Sequence, residues 1–182
     1  DIDCTMRALR MLGVSIGQKD EYVVVEGKGK FSLREPEDVL NLGNSGTGMR
    51  LLAGLVSGAN FLTIFTGDES LRKRPMKRIV QPLRMMGAMI DGRENGAIPP
   101  LVIRGKCPLN GIRYEMPVAS AQVKSAILLA GLFSQGEVEI KEPLPSRNHT
   151  EIMLKSMNVD VECVDCLISL GSNRILHSPG YI

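Results

Sequence analysis

The chain has 182 residues, of which 43% are hydrophobic and 23% are charged. This composition is typical of one globular domain with an apolar core, and it excludes a disordered chain. The 22 basic and 20 acidic residues nearly cancel, so no overall positive field recruits nucleic acid. No apolar run approaches the roughly 20 residues of a membrane-spanning helix, and no signal-peptide pattern opens the chain. We therefore expect a cytoplasmic protein that binds neither nucleic acid nor a membrane.

The chain opens with a helix-like segment and then a strand. Residues 6–13 have the apolar spacing of an amphipathic helix, and residues 22–27 are rich in valine and end in glycine, which indicates a hairpin finishing in a strand. Asp1 follows no methionine, and Ile182 comes just after a Ser-Pro-Gly turn where another element should begin. We expect a single lobe, residues 1–182, that is truncated at both ends.

A glycine-rich loop at residues 41–50 leads into an apolar helix at residues 51–58. Asn or Ser at a helix cap, followed by glycines, leaves backbone N–H groups open to an anion. The loop lacks the Gly-Lys-Ser/Thr ending of a P-loop and is not a dinucleotide fingerprint. It is therefore either an anion-binding nest or an ordinary helix cap.

A strand predicted at residues 61–66 is followed by a run of basic residues. The run consists of Arg72, Lys73, Arg74, Lys77 and Arg78. These cations lie just before and inside the first turn of a predicted helix, where they oppose the helix dipole, so a bound anion would offset the conflict. The alternative is a solvated basic face.

The second half of the chain repeats the first. The helix at residues 51–58 recurs at residues 128–136, roughly 75 residues further on, which indicates copies of one supersecondary unit. Each copy continues with a strand, a polar loop with an arginine, and an amphipathic helix ending in Gly87 or Asn158, two residue types that tolerate the left-handed conformation. The segments concerned are 61–66, Arg74, 79–87 and 101–105 in one copy, and 138–141, Arg147, 152–158 and 167–171 in the other.

The repeat predicts an α/β (α+β) fold. Its unit is βαβαββ, with one complete copy, partial copies beside it and right-handed crossovers. Equivalent loops of tandem units lie on the same rim of the domain, so we expect residues 119–125 and residues 41–50 to face a ligand side by side. Arg74 and Arg147 recur at matching positions and suit bidentate binding of an oxyanion. We expect two anionic groups to be held side by side.

Four cysteines are present, at positions 4, 107, 163 and 166. Cys163 and Cys166 have the spacing of a redox motif or half a zinc site, but a structural zinc site needs four ligands. The favoured interpretation is a hairpin turn without disulfide, metal or cofactor, and metal or redox chemistry is the open alternative.

Four motifs resemble those of the enolpyruvyl transferase family, almost from end to end of the chain. They are Gly-Asn-Ser-Gly-Thr-Gly-Met-Arg at 43–50, Thr-Gly-Asp-Glu-Ser-Leu-Arg-Lys-Arg-Pro-Met at 66–76, Pro-Val-Ala-Ser-Ala-Gln-Val-Lys-Ser at 117–125 and Ser-Arg-Asn-His-Thr-Glu at 146–151. The resemblance implies a lobe of βαβαββ units within an inside-out α/β barrel. It also implies transfer of enolpyruvyl from phosphoenolpyruvate to the 5-hydroxyl of shikimate 3-phosphate, with release of phosphate, by a monomer that glyphosate inhibits.

The resemblance assigns two sets of binding residues. Phosphoenolpyruvate would be bound by Asn44, Gly46, Arg74 and Gln122, and shikimate 3-phosphate by Ser120, Ala121, Gln122, Ser146 and Arg147. Arg50 is either a structural ion-pair partner or a remote electrostatic contributor, and His149 is expected to be a polar cap. Asp68 and Glu69 are expected to pair with the basic run. No catalytic group falls within the chain, so we expect it to be inactive alone.

Two other functions stay open. The sister transferase that acts on UDP-N-acetylglucosamine carries a cysteine five residues before the arginine of the Arg-Pro pair, where this chain has Glu69. The second possibility is a non-catalytic anion-binding module that uses the same two loops.

Overall fold

Two four-stranded sheets organise the protein, whose computed structural model describes residues 2–180. The strands are β1 (Ser15–Lys19), β2 (Tyr22–Glu26), β3 (Leu40–Asn41), β4 (Leu62–Thr66), β5 (Met89–Gly92), β6 (Ile98–Arg104), β7 (Leu109–Glu115), β8 (Ser134–Lys141), β9 (Val161–Val164) and β10 (Leu167–Leu170). The helices are α1 (Ile2–Met11), α2 (Gly46–Ser57), α3 (Lys77–Met85), α4 (Arg93–Gly96), α5 (Ala121–Gly131) and α6 (His149–Ser156). None of the helices within residues 2–180 is both long enough and apolar enough to cross a membrane.

The two sheets have the same strand order, β3-β4-β6-β5 in the first and β7-β8-β10-β9 in the second. In each, the pair joined through a helix is parallel, β3 with β4 across α2 and β7 with β8 across α5, and the other pairs are antiparallel. The βαβαββ unit is confirmed, but it occurs in two complete copies rather than one. The two-residue β3 is too short to give a periodic signal in the sequence.

The helices α2 and α5 pack against each other at a glycine. A Cβ atom built on Gly54 of α2 would lie 2.2 Å from the backbone carbonyl oxygen of Ala126 in α5. Such a distance is too short for any real contact, so glycine is required for the two backbones to approach. Gly54 in the Leu-Leu-Ala-Gly-Leu sequence of α2 therefore makes this helix contact, whereas its counterpart Gly131 in α5 faces the side chains of Leu170 and Val138.

A single apolar core joins the two units. Phe65 of β4 and Ile140 of β8 are both fully buried, and they belong to the same cluster as Met49 of α2 and Ile127 of α5. The N-termini of α2 and α5 are consequently fixed to one rigid body, because burial of such side chains is the main stabilising term in a fold.

Most predicted boundaries agree with the structure, with one error. The helices α3 and α6 are followed by Gly87 with φ 99° and Asn158 with φ 64°, as predicted for left-handed ends. The repeat at 128–136 was interpreted as a helix throughout, which is wrong: α5 ends at Gly131, and residues 134–136 begin β8.

Cys166 lies in the turn between β9 and β10, as predicted, whereas Cys163 lies within β9. Asp165 at this turn has φ 53°, the left-handed value that tight hairpin turns require. All four cysteines are free thiols. Within residues 2–180, no group of three or more His, Cys, Asp or Glu side chains is placed to hold a metal ion.

Candidate anion-binding site

The first turns of α2 and α5 lie side by side and are joined by one amide side chain. Gln122 Nε2 donates to Thr47 Oγ1 at 2.7 Å, and Gln122 Oε1 accepts from Arg50 Nη1 at 2.9 Å. The two loops predicted to share one rim are therefore in direct contact, although they are far apart in the sequence. This bridge is the centre of the candidate site.

Arg50 also joins the bridge to the loop that carries the basic run. Its Nη2 donates to the carbonyl oxygen of Pro75 at 2.9 Å, and this acceptor, like Gln122 Oε1, is neutral. Burial lowers the pKa of Arg50, and the nearby charges of Arg78 and Arg74 lower it further. The expected role of Arg50 as a structural ion-pair partner is wrong, because it pairs with no carboxylate within residues 2–180, and its bond to Gln122 puts it beside the candidate site.

Arg74 turns towards the glycine-rich loop. Its Nη2 donates to Asn44 Oδ1, and Asn44 Nδ2 donates to Asp68 Oδ2 at 2.8 Å. A Cβ on Gly46 would lie 2.9 Å from the Nη1 atoms of both Arg74 and Arg50. The structure thus brings together Asn44, Gly46 and Arg74 of the expected phosphoenolpyruvate set, with Gln122 joined to them through Arg50.

Asp68 does not pair with the basic run, contrary to expectation. Its Oδ1 accepts the backbone N–H of Leu71 at 2.7 Å, where it supports a short 3-10 turn. This hydrogen bond, together with the one from Asn44, lowers the pKa of Asp68 and keeps it ionised. Glu69 does pair as expected, with Lys73 at 2.6 Å. Asp68 is therefore a support for Asn44, and hence for Arg74.

Ser45 and Ser120 cap the two helices in the same way. Ser45 Oγ accepts from Gly48 N at 3.1 Å, and Ser120 Oγ accepts from Val123 N at 3.5 Å. Each hydroxyl accepts through its oxygen, so its hydrogen is free for another acceptor. Ser45 is buried, whereas Ser120 is half-buried at the rim beside Ala121, the first residue of α5.

A buried ionic cluster lies behind Ser120, and sequence reasoning missed it. Lys124 Nζ lies 2.8 Å from Glu142 Oε2 and 2.6 Å from Glu151 Oε1, and all three side chains are almost completely buried. Burial alone would lower the pKa of Lys124, but hydrogen bonds to the two carboxylates outweigh it and the pKa is raised. Ser146 Oγ donates to the other oxygen of Glu142. The cluster therefore links α5 and α6 to the loop that carries Ser146.

Arg147 and His149 are both exposed next to this cluster. Among residues 2–180, the Arg147 side chain has no hydrogen-bond or ion-pair partner, so its planar set of donors is available to a ligand. His149 is the first residue of α6 and makes no capping hydrogen bond, so the expected capping role is wrong. The preceding Asn148 occupies the cap position, also without a side-chain bond.

Two adjacent helix starts, with Arg50 and Arg74 beside them and no carboxylate paired with either within residues 2–180, form a candidate anion-binding site in a protein of α/β fold. The chain belongs to the family of EPSP synthase (3-phosphoshikimate 1-carboxyvinyltransferase), which matches residues 1–169.

Similar proteins agree with this assignment. A 3-phosphoshikimate 1-carboxyvinyltransferase of Thermodesulfovibrio yellowstonii is 54% identical over 168 residues, which cover 92% of this chain and 39% of the relative. Another from Shouchella clausii is 50% identical over 182 residues, 99% of this chain and 42% of the relative. The structure of EPSP synthase from Acinetobacter baumannii superimposes with a TM-score of 0.90 at 48% identity, covering 96% of this chain and 40% of that one. The chain thus spans about two fifths of the length of these proteins.

Proposed function

We propose that this chain is one lobe of a 3-phosphoshikimate 1-carboxyvinyltransferase. The whole protein transfers the enolpyruvyl group of phosphoenolpyruvate to the 5-hydroxyl of shikimate 3-phosphate and releases phosphate. The observation that carries the proposal is the Gln122 bridge to Thr47 and Arg50, since it joins the first turns of α2 and α5 from two successive units. The name and matched residues of the family support the choice of substrates.

The half-site for phosphoenolpyruvate consists of Asn44, Gly46, Arg74 and Gln122. Arg74 and the neighbouring Arg50 supply guanidinium groups whose positive charges repel each other, so a doubly charged ligand would relieve an unfavourable arrangement. Gly46 leaves the space beside both guanidinium groups open. Arginine binds carboxylate and phosphate oxygens through two parallel hydrogen bonds, which suits phosphoenolpyruvate.

The half-site for shikimate 3-phosphate consists of Ser120, Ala121, Gln122, Ser146 and Arg147. The free hydroxyl hydrogen of Ser120 and the exposed donors of Arg147 are suited to the oxygens of a phosphorylated sugar acid. Gln122 belongs to both half-sites and holds the two ligands next to each other. Such proximity converts a reaction between two molecules into one within a complex.

We expect the lobe to bind the substrates without supplying a general acid or base from residues 2–180. Asp68 is committed to Asn44 and Leu71, and the carboxylates of Glu142 and Glu151 are buried against Lys124. Addition to the double bond and loss of phosphate need proton transfer to and from positioned groups. We place those groups in a second lobe of a monomeric cytoplasmic protein with the inside-out barrel architecture, and we expect residues 1–182 alone to show no turnover.

Binding and activity assays of the whole protein test the proposal. The unsubstituted protein should release phosphate only when both substrates are present, and Gln122→Ala should weaken the binding of both. Arg104→Ala, on the far end of β6, is the matched control and should leave both affinities unchanged. Turnover with UDP-N-acetylglucosamine in place of shikimate 3-phosphate would favour the sister transferase. Equal affinity for inorganic phosphate and for shikimate 3-phosphate would favour an anion-binding module.

A further inference from the structure

Asn44 lies between a group that can only donate hydrogen bonds and a group that can only accept them. Its Oδ1 accepts from Arg74 Nη2, and its Nδ2 donates to Asp68 Oδ2 at 2.8 Å. A guanidinium group has no acceptor and an ionised carboxylate has no hydrogen, so a single orientation of the amide satisfies both neighbours. The amide of Asn44 is therefore oriented by the residues on its two sides.

Two further hydrogen bonds fix the position of Asp68 relative to Asn44. The backbone N–H of Asp68 donates to the carbonyl oxygen of Gly43 at 2.8 Å, which joins the end of β4 to the glycine-rich loop. Asp68 Oδ1 accepts from the backbone N–H of Leu71 at 2.7 Å, so the other carboxylate oxygen is the one that faces Asn44. Asp68 is thus held firmly although it is exposed.

The direction of the Arg74 side chain depends on this arrangement. Within residues 2–180, Asn44 is the one hydrogen-bond partner of its guanidinium group, and no carboxylate pairs with it. The Nη1 atom lies beside Gly46, since a Cβ built there would be 2.9 Å from it. Asn44 therefore holds Nη2 of Arg74 and leaves Nη1 for an anion at the glycine-rich loop.

We propose that Asp68 is a positioning residue for phosphoenolpyruvate, which orients the amide of Asn44 so that its oxygen holds Arg74 towards the ligand. The inference rests on the proposed function, in which Asn44 and Arg74 bind phosphoenolpyruvate. The alternative role of Asp68 is electrostatic, as a negative charge that partly neutralises Arg74. The two roles predict opposite changes in anion affinity when the charge of Asp68 is removed.

Asp68→Asn separates the two roles, because the backbone N–H of Leu71 dictates how the new side chain turns. This N–H can only donate, so the new amide oxygen takes the place of Oδ1 and the new NH₂ group faces Asn44. Asn44 must then turn its oxygen towards position 68 and its own NH₂ group towards Arg74, where two donors meet. The affinity for phosphoenolpyruvate should fall about tenfold, the effect of losing one hydrogen bond to a charged group. Loss of a neutralising charge would instead raise this affinity.

Asp68→Ser is the second variant, and it makes the order of the effects diagnostic. Serine caps a helical turn about as well as aspartate, so it can keep the hydrogen bond to Leu71, but it is too short to reach Asn44 as well. The amide of Asn44 then lacks a directing partner without being forced into the wrong orientation. We expect a loss of about threefold, smaller than that of Asp68→Asn. A purely structural role predicts the reverse order, because asparagine has the shape of aspartate.

Glu69→Gln is the matched control. Glu69 is the next residue in the chain, carries the same charge and pairs with Lys73 at 2.6 Å. Within residues 2–180, no hydrogen bond joins its side chain to Asn44. The substitution removes one negative charge from the same loop, and the affinity for phosphoenolpyruvate should stay within about twofold, because an exposed charge is screened by water and salt.

The experiment is steady-state kinetics of the whole protein and its variants, with phosphoenolpyruvate varied at saturating shikimate 3-phosphate and thermal unfolding to confirm that each is folded. The value of kcat/KM for phosphoenolpyruvate should fall about tenfold in Asp68→Asn and about threefold in Asp68→Ser. The affinity for shikimate 3-phosphate, measured by calorimetric titration, should stay within about twofold, since Asp68 acts on the other half-site. Adding Asp68→Asn to Asn44→Ala should cost nothing further, because both changes act through one amide. Asp68→Ser and Glu69→Gln test the inference even where Asp68→Asn does not fold.

The outcomes separate the inference from the function on which it rests. A rise or no change in phosphoenolpyruvate affinity in Asp68→Asn, a larger loss in Asp68→Ser, or an equal loss in Glu69→Gln would overturn the role of Asp68 while leaving the proposed function intact. Equal losses for both substrates, or an additive loss with Asn44→Ala, would overturn it in the same way. Failure of the unsubstituted protein to release phosphate from the two substrates would overturn the proposed function itself.

Discussion

Gly54 of α2 lies against the backbone of Ala126 in α5, so close that a Cβ atom would come within 2.2 Å of the Ala126 carbonyl oxygen. This contact fixes the distance between the two helices whose first turns form the candidate site. Gly54→Ala should therefore destabilise the fold by about 3 kcal/mol, the upper part of the range for overpacking. Chemical denaturation measures the loss. Gly27→Ala is the control, since nothing lies within 4 Å of the atom it adds, and an equal loss in both variants would contradict the packing role.

Gly46→Ala should affect ligands more than stability. The new Cβ would lie 2.9 Å from the Nη1 atoms of Arg50 and Arg74, which are ends of flexible side chains and can move. Their displacement should lower the affinity for phosphoenolpyruvate by roughly tenfold, about 1.4 kcal/mol in binding free energy. Glyphosate, according to the family resemblance, binds in the same place, and its affinity should fall by more than that of phosphoenolpyruvate. Steady-state kinetics of the whole protein with and without glyphosate give both values, and unchanged inhibition constants would refute the prediction.

Arg50→Lys tests the bridge between the half-sites. Arginine donates to Gln122 Oε1 and to the Pro75 carbonyl oxygen from two separate nitrogens, and lysine cannot reproduce this geometry. Both substrates should lose affinity by about tenfold, since Gln122 loses a partner that fixes its amide. Arg72→Lys, in the exposed part of the basic run, is the control and should leave the affinities for both substrates unchanged. A loss for phosphoenolpyruvate alone would show that Arg50 acts on one half-site only.

Lys124→Met should be the most destabilising of these changes. It leaves Glu142 and Glu151 buried without a cation, and removing one partner of a buried ion pair costs about 3–5 kcal/mol. Lys141→Met is the control, because its pair with Glu115 is largely exposed and exposed pairs contribute about 1 kcal/mol at most. Urea unfolding of both variants checks the difference, and similar losses would mean that the buried cluster contributes no more than the exposed pair.

The raised pKa of Lys124 gives this stabilisation a definite pH range. A lysine whose pKa is higher in the folded than in the unfolded state stabilises the fold fully below the ordinary value of 10.5 and loses its contribution above it. The stability difference between the unsubstituted protein and Lys124→Met should therefore be constant from neutral pH to about 10.5 and shrink above it. Urea unfolding at a series of pH values measures it. A difference that shrinks already between pH 7 and 9 would mean that another group controls the cluster.

The repeat made the βαβαββ units and the contact between their first helices predictable from the sequence. Two similar helices imply two similar units, and equivalent loops of such units share a rim, which the contact between Gln122 and Thr47 confirms. Serine is a preferred residue at a helix N-cap, so Ser45 and Ser120 could be expected to cap α2 and α5, as they do.

The sequence could not predict which side chains pair across the fold. Lys124, Glu142 and Glu151 come from α5, the loop after β8 and α6, and each alone resembles an ordinary surface charge. One sequence signal of this buried cluster was available: Lys124 lies in an almost entirely apolar helix, where a lysine needs a buried partner. Asp68 was assigned to the wrong partner for a related reason, because the basic run is adjacent in sequence but the Leu71 amide is the group within reach.

The independence of the two sheets has a consequence for taking the protein apart. Every strand pair of the two four-stranded sheets lies within its own unit, so a cut between β6 and β7 breaks no ladder. The contact between α2 and α5 would then become the main surface through which two separate polypeptides reassemble. The affinity of that complementation is a direct measure of how strongly the first turns of α2 and α5 are held together before any substrate arrives.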